Sequence, residues 1–428
     1  MINLGWNEGT GRQMGQNVQE QPTRQHVADI PRYGRRILAK GVEFATDTRQ
    51  TGHNNNVLCL GGSGSGKTTG YVMPNIRNLD SNLVVADSKN TLTIMFRKEL
   101  EQKGYRVCQL NFADAENSEV GYNPLDFIER KEGGILNEQQ MVTVAGALWN
   151  FTSTKDPVWD ILNRDYLLFL ISYCMEAEPR EEQNLIRVAE LHAEFNDPNQ
   201  KYPILDWIAD HPDSFAARKY NAIKTNFNAE KMWSSVCGMA NAALSLFTFR
   251  EAKNLFAAKQ SIDLTRLGRE KMVLFLNVSD LDPSMDTMVN LLYAQLLQVL
   301  CRQADHEPDH RLQIPCHIIC DDFGAQSKIE NFARIISVIR SRDIYCSIMV
   351  QSISQLNAMY GAEDANTILT NCDHILYLGG QDLGTTEFIS RRINKPAQSV
   401  MYKPAEKIWI LANGSRPVLA DRILPGEA

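Results

Sequence analysis

Eight short, mainly apolar runs punctuate this sequence: Val57 to Leu60, Leu83 to Ala86, Arg106 to Phe112, Met272 to Val278, His317 to Asp322, Tyr345 to Val350, His374 to Leu378 and Lys407 to Leu411. Their lengths suit strands, and strands covered on both faces lose polar alternation. Between them fall helical patterns: from the end of the first glycine cluster to about Asn78, Thr91 to Lys103 with Gly104 as a stop, Ser284 to about Asp305, and Ser327 to Ser341. Strands alternating with helices predict an α/β fold, a parallel sheet with helices on both faces.

From Leu136 to about Glu230 the rhythm changes to helical periodicity with almost no strand signal. Leu162, Tyr166, Phe169, Leu170 and Tyr173 form one apolar stripe, read as core packing. Pro157, Pro179, Pro198, Pro203 and Pro212 mark the breaks. The expected organisation is a flexible, Asn-, Gln- and Gly-rich segment over 1–30, a first part of an α/β domain over 31–135, an inserted all-α domain over 136–230, and the second part of the α/β domain over 231–428.

Composition adds exclusions. With 43% apolar and 22% charged residues the chain is an ordinary globular protein. No window approaches the ~20 apolar residues of a membrane span, and residues 1 to 30 are polar, so a soluble cytoplasmic protein is expected. Nine cysteines show no zinc or redox spacing; Cys316 and Cys320 bracket His317, but the run reads as a buried strand. A net charge of −7 argues against a basic coat for nucleic acid. Between residues 136 and 230 there are 15 Asp and Glu against 8 Lys and Arg, so the helical block holds the whole excess. The basic run Arg32, Arg35, Arg36 and Lys40 reads as a solvated face.

The candidate chemistry begins after the first strand. Gly61, Gly62, Ser63, Gly64, Ser65, Gly66, Lys67 and Thr68 fit G-x-x-x-x-G-K-[ST] without mismatch, and Thr69 continues into a helix. Glycines let successive backbone N–H groups converge on phosphate oxygens, and the helix start adds its positive end. Lys67 is expected on the β- and γ-phosphates of ATP and Thr68 on Mg2+. The metal needs a carboxylate at the end of a buried strand beside the first, and Ile318-Ile319-Cys320-Asp321-Asp322 supplies two. Asp321 is the metal candidate and Asp322 the group that orients or deprotonates the attacking water. Asp321 lies 254 positions after Lys67, a gap that requires an insertion. Arg340 or Arg342, between a helix and a strand, is a candidate to reach a neighbouring subunit's γ-phosphate, and Gln351 stands at a strand end where it could sense that phosphate.

The segments GGSGSGKT, VVADSK, GYRV, YNPLDFI, DDF, IRSR, QSISQL and HILYLGG occur in this order. Together they resemble the coupling proteins of conjugative type IV secretion systems, in the form found in Gram-positive bacteria, over about residues 35 to 425. The resemblance implies a RecA-like P-loop ATPase with an inserted all-α domain. It implies a homo-hexamer at the cytoplasmic face of the membrane that passes single-stranded DNA with its relaxase to membrane-embedded secretion channel proteins. By position, Lys67 and Thr68 match the Walker A pair, Asp321 the Walker B aspartate, and Gln351 the glutamine of the QS-x-x-QL segment. Two departures stand out: many members have Glu where this chain has Asp322, and the membrane helices that usually open the family are absent. Two other readings compete, a double-stranded DNA translocase of the chromosome-partitioning kind and a nucleotide-switched docking adaptor whose acidic helices receive basic cargo.

Overall fold

The computed structural model describes residues 33–149, 157–321, 323 and 328–427. The expected flexible segment 1–30, Arg32 and Asp322 lie outside the described residues. Among the described residues eleven strands are found: β1 Arg35–Ala39, β2 Val42–Ala45, β3 Val57–Gly61, β4 Asn82–Ala86, β5 Arg106–Asn111, β6 Met272–Asn277, β7 Cys316–Cys320, β8 Ile344–Val350, β9 His374–Gly379, β10 Lys407–Ala412 and β11 Val418–Asp421. Strands β3 to β11 form one sheet in the order β11-β10-β9-β3-β8-β7-β4-β6-β5. Within this sheet only β9–β10 and β10–β11 pair antiparallel; β3, for instance, runs parallel to β8 and β9 with Leu60 opposite Val350 and Tyr377. The remaining strands, β1 and β2, make a separate hairpin.

Successive strand residues point to opposite faces, and both faces are covered. On one, Val57, Cys59, Leu83, Val85 and Phe275 meet Tyr71, Ile76, Phe96 and Leu100 of the helices after β3 and β4. On the other, Leu58, Leu60, Val84, Leu274 and Ile318 join a larger apolar cluster. That cluster runs without a break into the helical interval between β5 and β6, so these helices share their core with the sheet. The interval does not stop at residue 230: Glu230–Leu244 and Arg250–Phe256 are also helical. Asn137, Asn184 and Ser214 start three of its helices, each side chain accepting a first-turn backbone N–H. The predicted stripe lies on Pro157–Ala177, where Phe169 is fully buried and meets Phe195 edge-on at 5.2 Å. Truncating such a ring costs about 3–5 kcal/mol.

Two expectations are corrected. The helix expected over Ser327–Ser341, whose Ser327 lies outside the described residues, is broken: of 328–341 only Phe332–Ile336 is α-helical, a tight turn follows at Ile339–Arg342, and the left-handed Asn331 and Asp343 bound the segment. The basic run is no shared solvated face. Arg36 is wholly buried, its Nε and Nη2 each 3.0 Å from Asp80 carboxylate oxygens, while Arg35 pairs with Glu43 and Lys40 with Glu427. The alternation of β1 turns Arg36 inward and Arg35 outward.

Candidate nucleotide-binding site

Parallel strands place their C-terminal ends along one edge, the edge where open α/β sheets bind ligands. At the end of β3 the chain turns through Gly64 at φ +72° and Gly66 at φ +85°, conformations that favour glycine. Gly61 has no room for a side chain, because a Cβ there would lie 2.4 Å from Ser65 Oγ. Gly70 N donates to Gly66 O at 2.8 Å, opening the helical stretch Thr68–Asn78, whose first turn is wide. Ser63 and Gly64 are exposed at the tip. Lys67, 7% exposed, folds back so that Nζ donates to Gly61 O at 2.8 Å and Gly62 O at 3.3 Å, and Ser65 Oγ is buried without a hydrogen-bond partner. A buried ammonium satisfied only by carbonyls and an orphaned hydroxyl are the features expected of a cradle that takes an anion.

The expected carboxylate is present, but its strand is not beside β3. In the sheet β8 lies between β3 and β7. Thr68 nevertheless bridges the gap, its Oγ1 donating to Asp321 Oδ2 at 2.6 Å across 253 residues of sequence. Burial raises the Cys59 thiol of β3 well above its usual range, and the Asp321 charge adds to that shift. A hydroxyl and a carboxylate in contact are hard oxygen donors suited to Mg2+. Among the described residues no group of three or more His, Cys, Asp or Glu could hold a metal alone. An ion at Thr68 and Asp321 would therefore complete its shell with phosphate oxygens and water, the usual arrangement for Mg2+.

The intervening strand brings Gln351 into place, because β8 ends between the phosphate loop and Asp321. Gln351 is exposed, and its backbone N donates to Gln355 Oε1 at 2.9 Å. Thr69 Oγ1 faces Gly66 O at 3.5 Å. Asp322 lies outside the described residues. The two arginines are not brought to this edge. Arg340 and Arg342 precede β8, at the opposite end of the sheet. Arg340 is exposed and donates to Gly52 O, whereas Arg342 is engaged with Asp305 through bonds of 2.8 and 3.1 Å.

Sequence reasoning missed the outer support of the loop. Gly62 N donates to Gly379 O at 3.0 Å, and Arg422 Nη1 donates to Ser65 O at 2.7 Å. The glycine pair Gly379-Gly380 at a strand end was a signal for the first contact. No local pattern marks Arg422. Among the described residues no helix is long and apolar enough to cross a membrane.

A family model described as Type IV secretory system conjugative DNA transfer matches residues 15–397. No curated protein sequence matches the chain. Among solved structures, the bacterial conjugative coupling protein TrwBdeltaN70 in an unbound form is similar at 14% identity and TM-score 0.63, covering 91% of this chain and 88% of that one. The plasmid coupling protein TrwB with a non-hydrolysable ATP analogue gives 13% identity and TM-score 0.63, over 91% of this chain and 89% of that one. VirB4 of Thermoanaerobacter pseudethanolicus gives 13% identity and TM-score 0.55, over 87% of this chain and 91% of that one. At these identities the likeness is one of fold: a mainly parallel sheet with helices on both faces.

Proposed function

Because this chain belongs to the type IV secretory system conjugative DNA transfer family, we propose that it is a coupling ATPase of a conjugative secretion system, hydrolysing Mg–ATP to recruit and move single-stranded DNA with its relaxase into the channel. The observation that carries the ATPase reading is the 2.6 Å contact between Thr68 and Asp321, which joins the two halves of a phosphate-metal site. TrwB has been solved with ADP and Mg2+ and with an ATP analogue, which supports the same ligands here.

Each residue then has a task. Lys67 leaves the Gly61 and Gly62 carbonyls for the β- and γ-phosphates, and the loop N–H groups hold the chain of phosphates. Thr68 and Asp321, hydrogen-bonded to each other, are the residues that would hold the metal ion. When bound there, Mg2+ would supply charge neutralisation on the β- and γ-phosphates. Asp322 orients the attacking water, and Gln351 reads the presence of the γ-phosphate. Arg340 serves the neighbouring subunit of a homo-hexameric ring, since it lies at the far end of its own sheet. We place the ring at the cytoplasmic face of the membrane, against membrane-embedded channel proteins.

The helical block over 136–230 is proposed as the cargo-selecting domain. Several of its carboxylates are spent internally: Glu178 and Glu194 bind Arg187, and Asp165 binds Lys219. Glu181, Glu182, Asp206, Asp210 and Asp213 are exposed, a surface that favours a basic protein over bare DNA. The test is ATP turnover by the full chain with and without single-stranded DNA, across protein concentrations. DNA-stimulated turnover that rises steeply with concentration is expected. Turnover indifferent to DNA and to Lys67→Ala would overturn the assignment.

A further inference from the structure

Two cations from the C-terminal part of the chain flank the phosphate loop, and the mechanism above leaves them unused. Arg422 follows β11. Its Nη1 donates to Ser65 O at 2.7 Å, and a Cβ on Gly66 would lie 3.4 Å from the same nitrogen. Its Nε is buried with no hydrogen-bond partner. Lys403 lies behind the other strand of the loop. A Cβ on Gly379, whose carbonyl accepts from Gly62 N, would lie 3.4 Å from Lys403 Nζ. That ammonium donates to Lys407 O at 2.8 Å and Pro404 O at 3.4 Å. Among the described residues, every side-chain hydrogen bond of this pair goes to a backbone carbonyl.

The hydrogen bonds of this pair therefore go to backbone dipoles, and Glu406 acts on Lys403 through its charge alone. Burial, then Arg422, pulls the Lys403 pKa down to about 8, against an opposing pull from Glu406, with Gly379 of β9 alongside. A half-buried ammonium disfavoured by burial and by a neighbouring guanidinium is costly unless an anion arrives. The anion-binding loop lies between them.

We propose that Arg422 and Lys403 are the counter-charge, supplied by the same subunit, for a nucleoside polyphosphate in the loop. Arg422 is a positioning residue that acts through the Ser65–Gly66 turn. Lys403 acts through the Gly62–Gly379 contact and by its field. The proposal rests on the nucleotide reading above. It has a sign: a polyanion in the loop raises the proton affinity of Lys403, so binding takes up a proton near and above pH 8. By linkage, nucleotide affinity falls as pH rises through 8.

The test measures ADP–Mg2+ binding to the full chain between pH 7 and 9.5, with steady-state turnover alongside. The proteins are wild type, Lys67→Ala, Arg422→Ala, Arg422→Lys and Lys403→Gln. Arg422→Ala is expected to weaken binding about tenfold, the size of one charge-assisted hydrogen bond, with kcat within about twofold. Arg422→Lys should recover part of the loss, which also guards against misfolding of the alanine variant. Lys403→Gln should flatten the fall in affinity above pH 8. If Lys67→Ala loses ADP while the Arg422 and Lys403 variants bind like wild type at every pH, this inference fails and the nucleotide reading survives. Variants that keep ADP but lose a single-stranded oligonucleotide would overturn it equally, by giving the cations to polynucleotide. Wild type that binds no ADP at any pH would instead sink the nucleotide reading itself.

Discussion

Replacing Arg340 with alanine should abolish turnover without touching nucleotide binding, and the geometry says why. The turn Ile339–Arg342 leads into β8, whose seven residues span about 23 Å before the nucleotide edge is reached. No arginine side chain covers that distance, so Arg340 cannot serve its own site. In the neighbour's site it would stabilise charge on the transferring phosphoryl group, a contact worth about 10³–10⁵ in rate, or about 4–7 kcal/mol. The ground state loses little, because Arg340 is exposed and, among the described residues, its side chain donates one hydrogen bond, to Gly52 O. Arg342 is the contrast: its bidentate pair with the half-exposed Asp305 is worth ~1 kcal/mol or less, so Arg342→Ala should keep most activity. The assay is ATPase rate for each variant and for a 1:1 mixture of Arg340→Ala with Lys67→Ala. In a randomly mixed ring about a quarter of the interfaces join an intact loop to an intact Arg340, so about a quarter of wild-type activity should return. A mixture no better than its parts, or Arg340→Ala with wild-type turnover, would refute the reasoning.

Asp80→Ala strands the fully buried Arg36 guanidinium and should cost about 3–5 kcal/mol by urea unfolding, whereas the double change Arg36→Met with Asp80→Leu should regain most of it. Gly61→Ala forces a Cβ to 2.4 Å from Ser65 Oγ and 3.1 Å from Leu378 Cβ, so nucleotide affinity should fall at least about tenfold with little change in melting temperature. His374, stacked on Phe44 at 3.9 Å, is held by burial at a pKa of about 4 and stays neutral in the fold. Because the unfolded chain takes up that proton from pH 6.5 downward, stability should fall by about 3 kcal/mol between pH 6.5 and 4, and His374→Gln should remove that part of the pH dependence.

The central strands were legible because a parallel strand buried on both faces cannot hide: Leu58, Val84 and Ile318 sit in uninterrupted apolar runs. The phosphate loop was legible for a different reason, since left-handed Gly64 and Gly66 and a Gly61 with no room for a Cβ demand that residue type. Strand order was not readable. Nothing local says that β8 enters between β3 and β7, and so a carboxylate expected on a neighbouring strand is reached from two strands away by the Thr68 hydroxyl. The hairpin of β1 and β2 escaped because Arg36 reads as surface until its partner Asp80, 44 residues on, is seen. Arg422 and Lys403 escaped likewise: their roles come from tertiary contacts with Ser65 and Gly379, which no spacing rule encodes. The broken segment around Phe332–Ile336 shows the limit of periodicity, since left-handed Asn331 and Asp343 stop a helix that the apolar pattern alone would continue.

The account turns on Thr68 and Asp321 sharing one metal ion with a nucleotide. Nucleotide affinity with and without Mg2+, in wild type and in Asp321→Asn, tests it most directly. Wild type should bind ATP at least about tenfold more tightly with Mg2+, and Asp321→Asn should bind the same with or without it while losing turnover. Equal Mg2+ enhancement and equal turnover in the two proteins would contradict the account.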